Sequence, residues 1–158
     1  MIKRLLLLVG ALAAALPASA QATTPTPAPS PGPPAAVPLP SGTSEMVWAG
    51  NTLYVSGSLD PDLKTNTDTT SQTVGLLRYL KKLLESQKLT LGDVVMMHVY
   101  LGGELGKPDF AGMMAGYTQF FGTKEQPNKP ARTTVQVVLP AGARGALIEI
   151  DLIAVRRE

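Results

Sequence analysis

Apolar positions in residues 42–158 recur with two periods, one of about two residues and one of about 3.6 residues. Five short runs with the two-residue period predict strands: EMVWAG, TLYVSGSL, VVMMHVYL, PARTTVQVV and ALIEIDLIAV. The first two runs meet at Gly50-Asn51, a pair that favours a tight hairpin turn.

Two further segments carry the helical period. The first can be capped by Thr70 or Ser71 and extends to Lys88, and its apolar face is formed by Val74, Leu77, Leu80, Leu83 and Leu84. The second begins at Pro108-Asp109 and closes at Gly122, with an apolar stripe of Phe110, Met113, Met114, Tyr117, Phe120 and Phe121. The resulting order, ββαβαββ, predicts an α+β fold with both helices on one face of a mixed sheet.

Alternation along each strand sorts its side chains by face. The more apolar set is expected to lie under the helices: Leu53, Val55, Val95, Met97, Val99, Thr133, Val135, Val137, Ile148, Ile150 and Leu152. The set expected on the opposite face holds most of the polar strand residues: Tyr54, Ser56, Met96, His98, Tyr100, Arg132, Thr134, Gln136, Glu149, Asp151, Ile153 and Val155. This second face is too apolar for free solvent and too polar for a core. It therefore predicts a subunit interface that contains a pocket.

The N-terminal 41 residues differ in character from the rest. Residues 1–20 contain the basic Lys3-Arg4, an apolar run from Leu5 to Leu16 and the A-x-A site Ala18-Ser19-Ala20, which is the pattern of a secretory signal peptide. The apolar run is shorter than the ~20 residues of a membrane span, so cleavage and a periplasmic or secreted location are expected, without stable membrane insertion. Residues 21–41 are rich in proline and predict a disordered linker to a domain at 42–158.

Composition restricts the chemistry. The chain has no cysteine, which excludes disulfides and a thiolate nucleophile, and no metal site is expected. Loss of Lys3 and Arg4 with the signal peptide would leave 12 basic and 12 acidic residues. The remaining basic pairs, Lys81-Lys82 and Arg156-Arg157, are interpreted as solvated surface, so no nucleic-acid partner is predicted.

PARTTVQV followed by IEIDLIAV, with VSGSLDPD and PDFAGMMAGYTQFFG earlier in the chain, resembles the Rid family of reactive intermediate deaminases, also called RidA-like or YjgF-like proteins. The resemblance extends from about Glu45 to Arg157. It implies a chorismate-mutase-like fold, a homotrimer and active sites between subunits. It also implies hydrolysis of 2-imino or 2-enamino acids to 2-oxo acids and ammonia, without a metal or organic cofactor.

The resemblance assigns roles to four residues. Arg132 would bind the carboxylate of a small-molecule substrate with its planar fork of donors, and Glu149 would activate water. Ser56 and Thr134 would line the substrate pocket. Three positions depart from the family pattern: Thr43 stands where tyrosine is common, Thr134 where cysteine or serine is common, and Met114 where asparagine is common. The segment AGARG also lengthens the turn before the last strand.

Alternative interpretations remain open for these residues and for the protein. Arg132 could instead pair with Glu149 or Asp151 across a subunit interface. His98 is the only histidine and is interpreted as a hydrogen-bonded interface residue. A non-catalytic exported protein that binds small carboxylates or a protein partner is the second functional hypothesis. An endoribonuclease or translation inhibitor is the third, and export and the balanced charge argue against it.

Overall fold

The computed structural model describes residues 35–38, 42–143 and 145–157. Its elements follow in this order: β1 (Ala35–Pro38), β2 (Ser44–Ala49), β3 (Thr52–Ser58), α1 (Thr69–Ser86), β4 (Val94–Leu101), α2 (Phe110–Tyr117), β5 (Ala131–Gln136) and β6 (Ile148–Val155), with short 3-10 turns at Leu91–Asp93 and Ala141–Ala143. The strands form one sheet in the order β1-β2-β3-β6-β4-β5. Only the β4–β5 pair is parallel among these strands, so the predicted mixed sheet with two helices is confirmed.

Strand β1 was not predicted. Its residues belong to the segment that was predicted to be a proline-rich linker, but they pair antiparallel with β2 at the edge of the sheet. An edge strand tolerates Pro38 because proline lacks only a donor, and one side of an edge strand forms no ladder bonds. The proposed signal peptide and most of the proposed linker lie outside the described residues.

Helix α1 begins earlier than predicted. Its N-cap is Asp68, not Thr70 or Ser71, because the Asp68 carboxylate accepts a hydrogen bond from the Ser71 backbone N–H and the Ser71 side chain completes a capping box. The fully buried Gln72 fixes the helix to two loops: its Nε2 donates to the carbonyls of Asn66 and Gly145, at 3.0 and 2.8 Å, and its Oε1 accepts from Leu147 N at 2.7 Å.

Helix α2 is shorter than predicted. It has Asp109 as its N-cap and ends at Tyr117, after which the chain turns to Gly122, whose φ of 75° lies in the left-handed region. The apolar stripe nevertheless continues past the helix, because the Phe121 ring is buried and stacks on Tyr117 with centroids 4.8 Å apart.

One hydrophobic core lies between the helices and the sheet. It joins leucines of α1 and Met113 and Tyr117 of α2 to strand residues such as Met97 and Leu152, which are almost fully buried. On β4 the pairing shifts between Val94 and Met96, so Val94 is buried and Val95 is 46% exposed. The prediction that Val95 faces the helices is wrong, because an irregularity in a ladder reverses the side chains on one side of it.

Candidate active site

Arg132 lies on edge strand β5 with its guanidinium against α2. Its Nη1 is 3.2 Å from the Met114 sulfur and 3.8 Å from the Met113 sulfur. Its Cζ lies 4.6 Å from the centroid of the Tyr117 ring and 5.9 Å from that of Phe110. Within the part of the chain that the structure describes, no carboxylate forms an ion pair with this half-buried cation. The guanidinium is therefore held in a fixed place by soft and aromatic groups, and its charge remains available to an anion.

The prediction that Arg132 and Glu149 share a face of the sheet is wrong. Arg132 pairs with Met97, which is buried beneath the helices, whereas Glu149 pairs with Tyr100, the position at which β4 points to the opposite face. Paired residues in neighbouring strands point to the same side. Thr134 and Gln136 likewise share the helix side, since they pair with Val99 and Leu101. The alternation of β5 was read correctly, but its two sets were assigned to the wrong faces.

Glu149 lies directly over Gly57, in the irregular end of β3. A Cβ atom at Gly57 would overlap the Glu149 carboxylate, so the absence of a side chain there is what lets the carboxylate approach the backbone. Burial, and then the negative charge of Asp151, raise the pKa of Glu149 above its ordinary value. A carboxylate with this property holds a proton more strongly than a solvated glutamate does and is suited to accept one from water.

Beside Glu149, Asp151 joins two side chains of β4. Its Oδ1 is 2.6 Å from His98 Nδ1, and its Oδ2 accepts a hydrogen bond of 2.8 Å from the Tyr100 hydroxyl. The hydrogen bond to Asp151 is the main cause that raises the pKa of Tyr100. His98 is thus hydrogen-bonded as predicted. Asp151 is therefore occupied by hydrogen bonds within its own chain. Glu149, on the same face, takes no part in these bonds.

Two pockets of about 260 Å³ lie beside these residues. One adjoins the end of β3 and is lined by Glu45, Ser56, Gly57, Ser58, Leu59, Pro61 and Tyr79. The other contains Arg132 and is lined further by Met114, Tyr117, Thr118, Phe121, Lys129 and Pro130. Hereafter these are the β3 pocket and the arginine pocket. One chain thus carries Arg132 in the arginine pocket and, in a separate place, the Glu149 carboxylate against Gly57 in the wall of the β3 pocket.

The two remaining predicted site residues have restricted hydrogen-bonding roles. The Ser56 hydroxyl donates to the Ser44 carbonyl at 2.6 Å, so toward a ligand it can act only as an acceptor. The Thr134 hydroxyl is buried and has no hydrogen-bond partner among the described residues.

Among the described residues there is no group of three or more His, Asp or Glu side chains placed to hold one metal ion. The described ranges also contain no helix long and apolar enough to cross a membrane.

Residues 38–156 match the family model described as Endoribonuclease L-PSP. The chain belongs to this family. A RutC family protein of Pyrococcus horikoshii is 37% identical to it over 123 residues, 74% of this chain and 90% of that protein. The 2-iminobutanoate/2-iminopropanoate deaminase of Salmonella typhimurium is 36% identical over 112 residues, 68% of this chain and 82% of that protein.

Solved structures of this Endoribonuclease L-PSP family have the same fold. The YjgF gene product of E. coli gives a TM-score of 0.61 at 32% identity, over 72% of this chain and 87% of that one. TdcF of E. coli, solved with bound serine, gives 0.59 at 28% identity, over 72% of this chain and 87% of that one. The resemblance to Rid and YjgF-like proteins and the α+β fold that it implied are therefore confirmed.

Sequence reasoning missed several residues of the site. Glu45 and Tyr79 attracted no attention because they are far apart in sequence and carry no motif. Gly57 could have been noticed, since a glycine inside a strand signals a bulge or a close approach by another group. Met113 and Met114 were interpreted as packing residues, but in the structure they also contact the guanidinium of Arg132.

Proposed function

We propose that the protein hydrolyses 2-imino or 2-enamino acids to 2-oxo acids and ammonia. The observation that carries the proposal is the guanidinium of Arg132, which is oriented by aromatic and thioether groups and has no carboxylate partner among the described residues. Such a group suits the carboxylate of a small acid. The name of the Salmonella relative and the serine bound to TdcF support the same class of ligand.

In the proposed reaction Arg132 holds the substrate carboxylate and thereby places the adjacent imine carbon. Glu149 takes a proton from water as the water oxygen bonds to that carbon, and it passes this proton to the imine nitrogen. The hydroxyl proton of the resulting carbinolamine is then moved to its nitrogen in the same way, so the C–N bond breaks, ammonia leaves and the 2-oxo acid forms. The raised pKa of Glu149 makes it a stronger base than a solvated glutamate, which suits this exchange of protons.

We infer that each site forms between two copies of the chain, because Arg132 and Glu149 belong to opposite faces of the sheet within one copy. A cyclic assembly, which we propose to be a homotrimer, can bring the arginine pocket of one copy to the Glu149 side of the next. Tyr54 and Val135 on the face opposite the helices are 48% and 43% exposed in the single chain. Burial of these apolar groups would favour such an assembly.

A direct assay tests the proposal. An amino-acid oxidase generates imino acids in the presence of the purified domain, and the 2-oxo acid and ammonia are followed with time. Acceleration above the spontaneous rate supports hydrolysis by the protein. If imines of several side-chain types are hydrolysed only at the spontaneous rate, the proposal is refuted.

The second candidate is a non-catalytic protein that binds carboxylates, and the absence of the family tyrosine at Thr43 favours it. Binding of 2-oxo acids without acceleration would establish that function instead.

A ribonuclease function is not proposed, although the family description contains that word. The basic residues at the C-terminus are exposed, as predicted, and their side chains also form contacts within the chain. Arg156 donates to the Gln87 carbonyl at 3.0 Å and lies over the Trp48 ring, with Cζ 4.3 Å from its centroid. Arg157 donates to the Gly92 carbonyl at 2.9 Å. These contacts fix the end of β6 to its neighbours.

We also propose that the chain is exported and that residues 1–20 are removed. The basic start, the apolar run and the A-x-A site support this proposal. It stands independently of the proposed chemistry, because the two rest on different parts of the sequence.

A further inference from the structure

The β3 pocket offers a ligand hydrogen-bond acceptors from its side chains and few donors. Its polar side chains are Glu45, Ser56, Ser58 and Tyr79. The Ser56 hydroxyl donates to the Ser44 carbonyl, and the Ser58 hydroxyl donates to the Ser56 carbonyl at 3.0 Å. A hydroxyl that already donates keeps only its lone pairs for a ligand.

The third hydroxyl is used in the same way. Tyr79, on α1, donates to the Glu45 carboxylate on β2. Burial, and then the hydrogen bond to Glu45, raise the pKa of Tyr79 to about 12, so the phenol keeps its proton at neutral pH. Tyr79 therefore acts as a donor that orients Glu45. The carboxylate retains further acceptor sites, because its two oxygens offer about four lone-pair positions.

No basic residue lines this pocket among the described side chains. Glu45 adds negative charge to the pocket. The Glu149 carboxylate lies against the backbone of Gly57, which forms part of the pocket wall. Lysine and arginine lie instead in the arginine pocket, as Lys129 and Arg132. A group that enters the β3 pocket therefore meets acceptors and negative charge, while a carboxylate is favoured at the arginine pocket.

We propose that the β3 pocket selects substrates whose side chain ends in a cationic or multiple-donor group, such as a guanidinium or an ammonium. This inference rests on the proposed function, since it identifies the part of a 2-imino acid that lies beyond its reacting carbon. Glu45 binds the donor group and Tyr79 positions Glu45. Acidic side chains are disfavoured because the side chains of this pocket offer them neither a free hydroxyl donor nor a positive charge.

The test compares imines made from L-arginine, L-citrulline, L-norleucine and L-glutamate. Citrulline is nearly isosteric with arginine but neutral, and norleucine has no donor in its side chain. The expected order of kcat/KM is arginine, citrulline, norleucine, glutamate, with arginine about tenfold or more above norleucine. Equal values for all four, or a preference for the glutamate imine, would overturn the inference and leave the hydrolytic function intact.

Two variants assign the selectivity to these residues. Glu45→Gln keeps the shape but removes the charge, and the ratio of kcat/KM for the arginine imine to that for the norleucine imine should fall about tenfold. Tyr79→Phe should lower the ratio less, because the carboxylate remains but loses its orienting donor. Glu85→Gln, an exposed carboxylate on α1 that is 3.9 Å from Lys81, is the matched control and should leave the ratio unchanged. An unchanged ratio in Glu45→Gln would refute the assignment.

A binding measurement separates failure of this inference from failure of the proposed function. If no imine is hydrolysed faster than it is spontaneously, titration calorimetry with unreactive L-arginine and L-norleucine still tests the pocket. Tighter binding of L-arginine that is lost in Glu45→Gln would support the inference without catalysis. Equal affinities in the unmodified protein would overturn it.

Discussion

Arg132 and Glu149 occupy opposite faces of one sheet, Arg132 level with Met97 and Glu149 level with Tyr100. A single copy therefore cannot present both side chains to one small molecule. If both serve one reaction, the site requires two copies of the chain, and assembly is a condition of activity.

Mixing two inactive variants tests this arrangement. Arg132→Ala copies retain Glu149, and Glu149→Gln copies retain Arg132, so mixed assemblies contain some interfaces with both functional residues. Random 1:1 exchange should restore about a quarter of the activity per site of the unmodified protein. Light scattering should give about three times the chain mass for each preparation. Mass spectrometry verifies that the copies have exchanged. If exchange occurs and activity does not return, a site shared between copies is contradicted.

The same two variants should differ when each is studied alone. Arg132→Ala should lose both turnover and binding of 2-oxo acids such as pyruvate, because loss of a desolvated charged partner costs about 2 to 5 kcal/mol. Glu149→Gln should still bind these acids, while turnover falls by about 10² to 10⁴ because an amide is a very poor base. Calorimetry with 2-oxo acids measures binding, and the assay in which an amino-acid oxidase generates imino acids measures turnover. Full activity of Glu149→Gln on every hydrolysed imine would exclude Glu149 as the base.

The raised pKa of Glu149 predicts the pH dependence. The base must be ionised, so kcat/KM should fall as the pH falls through the pKa of Glu149, and the midpoint should lie above the 4.5 of an ordinary glutamate. Asp151→Asn removes the smaller cause of the raised pKa and should move this fall in kcat/KM to lower pH. Burial would still keep the pKa of Glu149 above its ordinary value. Glu85→Gln should leave the midpoint in place. A midpoint at or below 4.5 in the unmodified protein would contradict the assignment.

Gln72 is expected to be important for stability. Gln72→Ala would leave two loop carbonyls and the Leu147 N–H without their buried partner, which should lower the free energy of unfolding by about 3 kcal/mol. Gln119→Ala removes a single exposed bond to the Ala115 carbonyl and should change it by less than about 0.5 kcal/mol. Urea titrations at one fixed protein concentration provide the comparison. Equal losses in both variants would show that Gln72 does not hold the loops.

Export makes a prediction of its own. The periplasmic form should begin at Gln21, directly after the A-x-A site, and should be recovered without membranes. Intact-mass measurement on a periplasmic extract identifies its first residue. Retention of residues 1–20, or recovery only with membranes, would count against removal of this segment.

The sequence by itself determined the elements of the domain, because local periods and turn residues act over a few positions. The order ββαβαββ, the hairpin at Gly50-Asn51 and strand β4 were all readable in this way. The bounds of the helices were less accurate, since the cap at Asp68 and the end of α2 depend on side-chain bonds and packing. Strand β1 could not be read, because its pairing with β2 uses backbone groups that any sequence possesses.

Only the tertiary structure decided how the candidate site is divided. Alternation separates the side chains of a strand into two sets, but the face of each set depends on the register with the neighbouring strand. On β5 the set that lies on the helix side, Arg132, Thr134 and Gln136, is wholly polar, so hydrophobicity favoured the wrong assignment. The choice was made by α2, whose rings and sulfurs provide a place for the guanidinium of Arg132 on the helix side. The approach of Glu149 to Gly57 and of Tyr79 to Glu45 likewise joins residues distant in sequence, which no local pattern encodes.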